Sequence, residues 1–209
     1  MNKKKLGMTI GSLALVGAIA VGGTLAYLSD TTDVVKNTFT VSDAIDIVLD
    51  EQEYNNPVPN RVLANTYDDV LPGLSYDKDP TVTVVNYEVS QYVFMAVKTS
   101  NDVNYVADTV DWEDVSKTVQ APDEYKVYKY KTVVSEATED YNPVDDGSMN
   151  YQEGIQLTPL FTEVTVNSDL NTGSQQLKNI EVRAAAVQSD GFTDWETAYA
   201  QISAGLLNF

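Results

Sequence analysis

The chain has 209 residues, neither cysteine nor histidine, and a formal net charge of −18. Without histidine there is no Ser-His or Cys-His catalytic arrangement and no imidazole ligand for zinc; without cysteine there is no disulfide. The acid excess repels nucleic acid and anionic membrane surfaces, so neither is an expected partner.

The chain opens on Lys3-Lys4-Lys5, an apolar stretch over 6–21 and the small residues Gly22-Gly23-Thr24-Leu25-Ala26. A positive start, an apolar core and small residues before a polar segment predict an export signal over 1–26, cleaved near Ala26 and Tyr27. The apolar stretch is interrupted by Gly7, Gly11 and Gly17 and is short for a membrane span. Residues 27–209 are expected to form one secreted domain with no membrane span after cleavage. With the three signal lysines gone, ten basic residues face 31 acidic ones, a net of −21.

Valine- and tyrosine-rich runs separated by Asp, Asn, Pro and Gly then predict strands. The first lie over 37–41 and 44–50, with Ile45, Ile47 and Leu49 on one face. A Pro-Gly turn follows at Pro72-Gly73. Over 80–86, Val82 and Val84 point one way and Thr81, Thr83 and Val85 the other. The stretch 92–98 is apolar on both faces and reads as a central strand. Residues 100–150 are richer in Asp, Asn and Glu and read as an insertion or a pair of excursions carrying one strand-like piece over 125–134. Strand pattern resumes over 157–166 and 179–188, the latter with Ile180, Val182, Ala184 and Ala186 on one face. Thr193-Asp194-Trp195-Glu196 fits a capping box that opens a short amphipathic helix, with Trp195, Ala198, Tyr199 and Ile202 at helical spacing. The expected fold is all-β: an antiparallel β-sandwich, jelly-roll or immunoglobulin-like, with one short C-terminal helix and an insertion near 100–150.

Several short segments occur in a suggestive order: Gly23-Thr24-Leu25-Ala26-Tyr27-Leu28-Ser29-Asp30, then Asn37-Thr38-Phe39-Thr40-Val41, Leu71-Pro72-Gly73, Lys78-Asp79-Pro80-Thr81-Val82-Thr83-Val84, Thr158-Pro159-Leu160-Phe161 and Val187-Gln188-Ser189-Asp190-Gly191-Phe192. Together they resemble the TasA/camelysin family of Gram-positive biofilms, whose precursors are processed by a SipW-type signal peptidase. Residues 101–151 lie outside the resemblance. It implies an extracellular jelly-roll sandwich, some of whose relatives polymerise into matrix fibres by donor-strand exchange. The expected partners are then the SipW-type peptidase and other copies of the chain or related matrix subunits. The donor would be the segment 28–40, with Leu28, Val34, Val35 and Phe39 as groove fillers; the alternative is that it pairs within its own subunit as an ordinary first strand.

Candidate sites are sparse. Calcium takes six to eight oxygens, often from clustered acids. The densest acid groups are Asp77-Lys78-Asp79, Asp145-Asp146-Gly147 and Asp50-Glu51-Gln52-Glu53, with Asp77, Asp79, Asp145 and Asp146 as candidate ligands. In so acidic a chain, solvated turn acids are the plainer reading. There is no His-Glu-x-x-His motif, and no catalytic residue or cofactor is expected. Lys126, Lys129 and Lys131 alternate with tyrosines, either as a cationic strip for an acidic partner or as lysines guarding an edge strand. Trp112 and Trp195 read as packing residues. Two functions follow as expectations: a secreted structural subunit of matrix or cell surface, or a monomeric surface module using 100–150 to bind a ligand, a partner or calcium.

Overall fold

The computed structural model describes residues 29–32, 38–39, 45–58, 60–98, 100–136, 138, 154–170, 177 and 180–209. The expected signal, the Ala26/Tyr27 cleavage site, Leu28, Val34, Val35, Asp145 and Asp146 lie outside these residues. In chain order the elements are β1 Ser29–Thr32, β2 Thr38–Phe39, β3 Asp46–Gln52, β4 Arg61–Val62, β5 Ser75–Asp77, β6 Thr81–Asn86, β7 Gln91–Lys98, β8 Val103–Tyr105, β9 Trp112–Asp114, β10 Tyr125–Tyr130, β11 Ile155–Gln156, β12 Glu163–Val166, β13 Glu181–Gln188 and the helix α1 Trp195–Leu206.

Three antiparallel sheets result, ordered β2-β1-β13-β7-β10-β9, β11-β6-β3-β4 and β5-β12-β8. Alternation along the strands assigns the faces of the large sheet. Val93, Met95 and Val97 of β7 and Val182, Ala184 and Ala186 of β13 pack against Ile45, Ile47, Val82, Val84, Leu157, Leu160 and Phe161 from the smaller sheets and their loops. The intervening Phe94, Ala96, Ala185 and Val187 face the other way, onto Ala198, Tyr199, Ile202 and Leu206 of α1. The fold is therefore an all-β sandwich with a helix on the outer face of its larger sheet. β7 is buried on both faces, as its sequence predicts; β6 turns Val82 and Val84 into the core as read, but Thr81 and Thr83 on its other face are buried too.

Residues 100–135 are built into the sheets rather than standing apart from them. β8 completes the three-stranded sheet, while β9 and β10 extend the large one. Trp112, Val115 and Val127 are fully buried. The polar residues that gave the stretch its loop-like composition occupy tight turns: Asp108 Oδ1 accepts from the amides of Val110 and Asp111, and Asp114 Oδ1 from that of Ser116. The run 157–166 is likewise divided. Pro159 has no amide to give a ladder, so β11 ends before it and β12 begins after it, with Leu160 and Phe161 plugging the core between them. The helix cap also differs from the expected box. Asp194 is the N-cap, its carboxylate accepting from the Thr197 amide at 2.8 Å, while Thr193 precedes it and only donates to that carboxylate.

Candidate functional site

β13 is the strand on which both ends of the described chain converge. On one side it pairs along its whole length with β7, from Glu181↔Lys98 to Gln188↔Gln91. On the other, among the described residues, it is met by β1, through Ser29↔Val187, Asp30↔Ala186 and Thr31↔Ala185. β2 then pairs with β1, through Thr31↔Phe39 and Thr32↔Thr38, and forms the sheet edge. The described parts of the segment read as a donor strand, 29–32 and 38–39, are thus paired within their own subunit. Of its four groove-filling candidates, Phe39 belongs to β2, one strand removed from β13.

The consecutive alanines Ala184, Ala185 and Ala186 let the sandwich core and the helix approach β13 closely from opposite faces; all three are fully buried. Arg183 ties the helix down. Its Nη1 donates to the Gly205 carbonyl at 2.7 Å, and its guanidinium lies 5.2 Å from the Phe209 ring centroid. Phe209 stacks in turn on Tyr125, centroid to centroid 5.3 Å.

A second constellation joins β3, β4 and the start of β6. Arg61 Nε donates to Asp50 Oδ1 and Nη1 to Asp79 Oδ2, each at 2.8 Å. Asp79 Oδ1 accepts from the Gln52 amide at 2.6 Å, and Lys78 Nζ pairs with the buried Glu51. Burial lifts the Asp50 carboxyl above its ordinary value, with Arg61 opposing. For Arg61, burial pulls downward, but Asp50 and Asp79 together hold the guanidinium above its ordinary value. Of the calcium candidates, Asp79 has both carboxylate oxygens engaged in this lattice, and Asp77 is exposed on β5. Among the described residues no group of three or more carboxylates is arranged to hold a metal ion. Arg61 and Arg183 escaped the sequence reading because their partners lie far along the chain. The available signal was a lone basic residue among acids at Arg61, and one between apolar neighbours at Arg183.

The lysines of β10 are neither edge guards nor a free strip. β10 is interior, paired to β7 and β9. Lys129 is buried; its Nζ donates to the Tyr130 carbonyl at 3.1 Å and lies 5.9 Å from the Trp195 ring, and burial pushes its amine downward. Lys131 Nζ donates to the carbonyls of Thr109 and Val110, and Lys126 faces Asp114 at 3.9 Å. Their charges stabilise turns and strand ends of the same subunit.

No family model, no curated protein and no solved structure matches the chain. Among the described residues, no helix is long and apolar enough to cross a membrane.

Proposed function

We propose that the chain is an exported structural subunit of an extracellular matrix or cell surface, of the kind its resemblance to the TasA/camelysin family implies, assembling by exchange of its N-terminal strand between copies. The observation that carries this reading is the placement of β1. It is the first described strand, it stands between β13 and the edge strand β2, and it is held to β13 by a short register over Ala185–Val187. The outer pair β1 and β2 can leave β13 together by breaking only this short register, and the vacated β13 edge offers main-chain donors and acceptors to the same strand of a neighbour. The pairing in one subunit and the pairing between two then use the same register. The high acidic charge keeps the unassembled subunit soluble.

Two purified forms test the reading, one beginning at Leu28 and one beginning at Val41. Filaments from the longer form alone, seen by electron microscopy across a range of salt and pH, are the expected result. A longer form that stays monomeric throughout defeats the assembly reading and favours a monomeric surface module.

A further inference from the structure

Three tyrosines meet beside the Arg61 lattice. The rings of Tyr54 and Tyr67 lie 4.7 Å apart, centroid to centroid, at an interplanar angle of 46°. Tyr76 lies 6.1 Å from the first and 6.2 Å from the second. The other tyrosine pair in ring contact among the described residues, Tyr105 and Tyr128, is wider, at 6.5 Å. All three rings of the cluster are half-buried, so each keeps a solvent-facing portion.

The contact is organised by Asn65. Its amide donates to Glu51 Oε1 at 3.0 Å, its Nδ2 to the Gln52 carbonyl at 2.8 Å, and its Oδ1 accepts from the Tyr54 amide at 2.8 Å. Three hydrogen bonds from one residue fix the end of β3 against the loop that follows β4. Tyr67 is further held through its hydroxyl, which donates to the Asp77 carbonyl at 2.8 Å. The two phenols are thereby pre-positioned, and most of the ordering cost of joining them is already met by the fold.

We infer that Tyr54 and Tyr67 form an oxidative cross-linking site, at which a one-electron oxidant of the peroxidase class, acting with hydrogen peroxide, converts the pair into a dityrosine. Each phenol gives up one electron and one proton. The two radicals join through ring carbons ortho to their hydroxyls, and the ring protons lost in rearomatisation regenerate both phenols. The net change is loss of two hydrogen atoms, while one peroxide is reduced to two waters. Tyr76, touching both rings, can share the first radical until the second forms. The contact of the two rings within one chain favours coupling there over coupling between chains. In a protein with no cysteine, the bond would close the segment 54–67, which carries β4, as a disulfide closes loops elsewhere. This inference stands independently of whether the chain assembles.

The test treats the whole purified chain with a peroxidase and hydrogen peroxide. Expected are dityrosine fluorescence, an intact mass of one chain lowered by two hydrogens, a cross-linked peptide mapping to Tyr54 and Tyr67, and a higher melting midpoint than before treatment. Tyr54→Phe and Tyr67→Phe each abolish the signal, whereas Tyr105→Phe keeps it. Fluorescence that persists in Tyr67→Phe, or an oxidised wild-type chain whose peptide map lacks the Tyr54–Tyr67 link, overturns the inference. The peptide map decides the matter in the wild type even where a variant folds poorly.

Discussion

Arg183 reaches from the middle of the large sheet to donate to the Gly205 carbonyl at 2.7 Å, supplying from a neighbouring element the positive charge that the last turn of the helix lacks. The free carbonyls at a helix C-terminus carry partial negative charge and favour a cation there. Because Arg183 is buried, little solvent screens the contact.

Replacing this side chain therefore loosens the helix. Arg183→Met is expected to lower the unfolding free energy by about 2 kcal/mol, the worth of a hydrogen bond to a charged group. Arg183→Lys keeps the charge but not the forked geometry and should fall between the two. Urea unfolding followed by tyrosine and tryptophan fluorescence checks the order. Equal midpoints for all three chains would contradict it.

Arg61 holds two carboxylates together, so removing it costs more than one ion pair. Arg61→Met is expected to destabilise the fold by about 3 kcal/mol near neutral pH, because Asp50 is left buried and charged beside Asp79. The loss is pH-dependent. Burial already raises the Asp50 carboxyl above 3.8, and losing the guanidinium raises it further. The native variant then binds a proton more tightly than its unfolded chain, so it gains stability as pH falls toward the ordinary carboxylate range and loses it as pH rises. Unfolding curves at several pH values should show the gap from wild type narrowing on the acid side. A constant gap would mean that Asp50 does not titrate with folding.

Tyr199 gives a change in the opposite sense. Its hydroxyl is buried with no hydrogen-bond partner among the described residues, and burial pushes it up to about 12. Tyr199→Phe is expected to leave stability unchanged or raise it by about 1 kcal/mol, since an unsatisfied polar group is removed and the ring stays against Phe94. The unfolded phenol ionises first, so the wild type loses stability as pH rises from 10.0 toward about 12. The variant lacks that loss, and thermal melts across this window should separate the two chains.

The helix cap distinguishes Asp194 from Thr193. Asp194→Ala should lower the melting midpoint measurably, while Thr193→Ala should scarcely move it, because only Asp194 accepts from the Thr197 amide. Hydrogen bonds from Thr197 hold the Asp194 carboxyl below 3.8. Its contribution is therefore present at neutral pH and disappears in strong acid. A larger effect for Thr193→Ala would restore the capping box that the sequence suggests.

What was legible in the sequence was local periodicity. Val82 and Val84, the doubly apolar run through Phe94 and Met95, and the alternation around Val182 and Ala184 each placed a strand and its buried face. Misreadings arose where composition stood in for pattern. The Asp-rich stretch around Trp112 looked peripheral, yet its acids serve tight turns and its indole lies in the core, donating to the Thr158 carbonyl at 2.9 Å. The lysines of β10 suggested an edge because sequence cannot reveal that β9 lies beyond them. The Arg61 lattice and the Tyr54–Tyr67 contact were hidden for a different reason. Each brings together residues from separate stretches of the chain, and no local period records that meeting.

The double burial of β13 also bears on how the chain avoids misfolding. Its odd and even positions belong to different cores, one ending at Val182, Ala184 and Ala186, the other at Ala185, Val187 and Arg183. A slip of one residue against β7 would exchange them, driving a guanidinium among Ile47, Leu157 and Phe161 and taking from the last turn of the helix the cation that meets the Gly205 carbonyl. One arginine in a strand of alanines and valines thus acts as a register mark, rejecting the misaligned sheet by a penalty that the small, interchangeable residues around it could not impose.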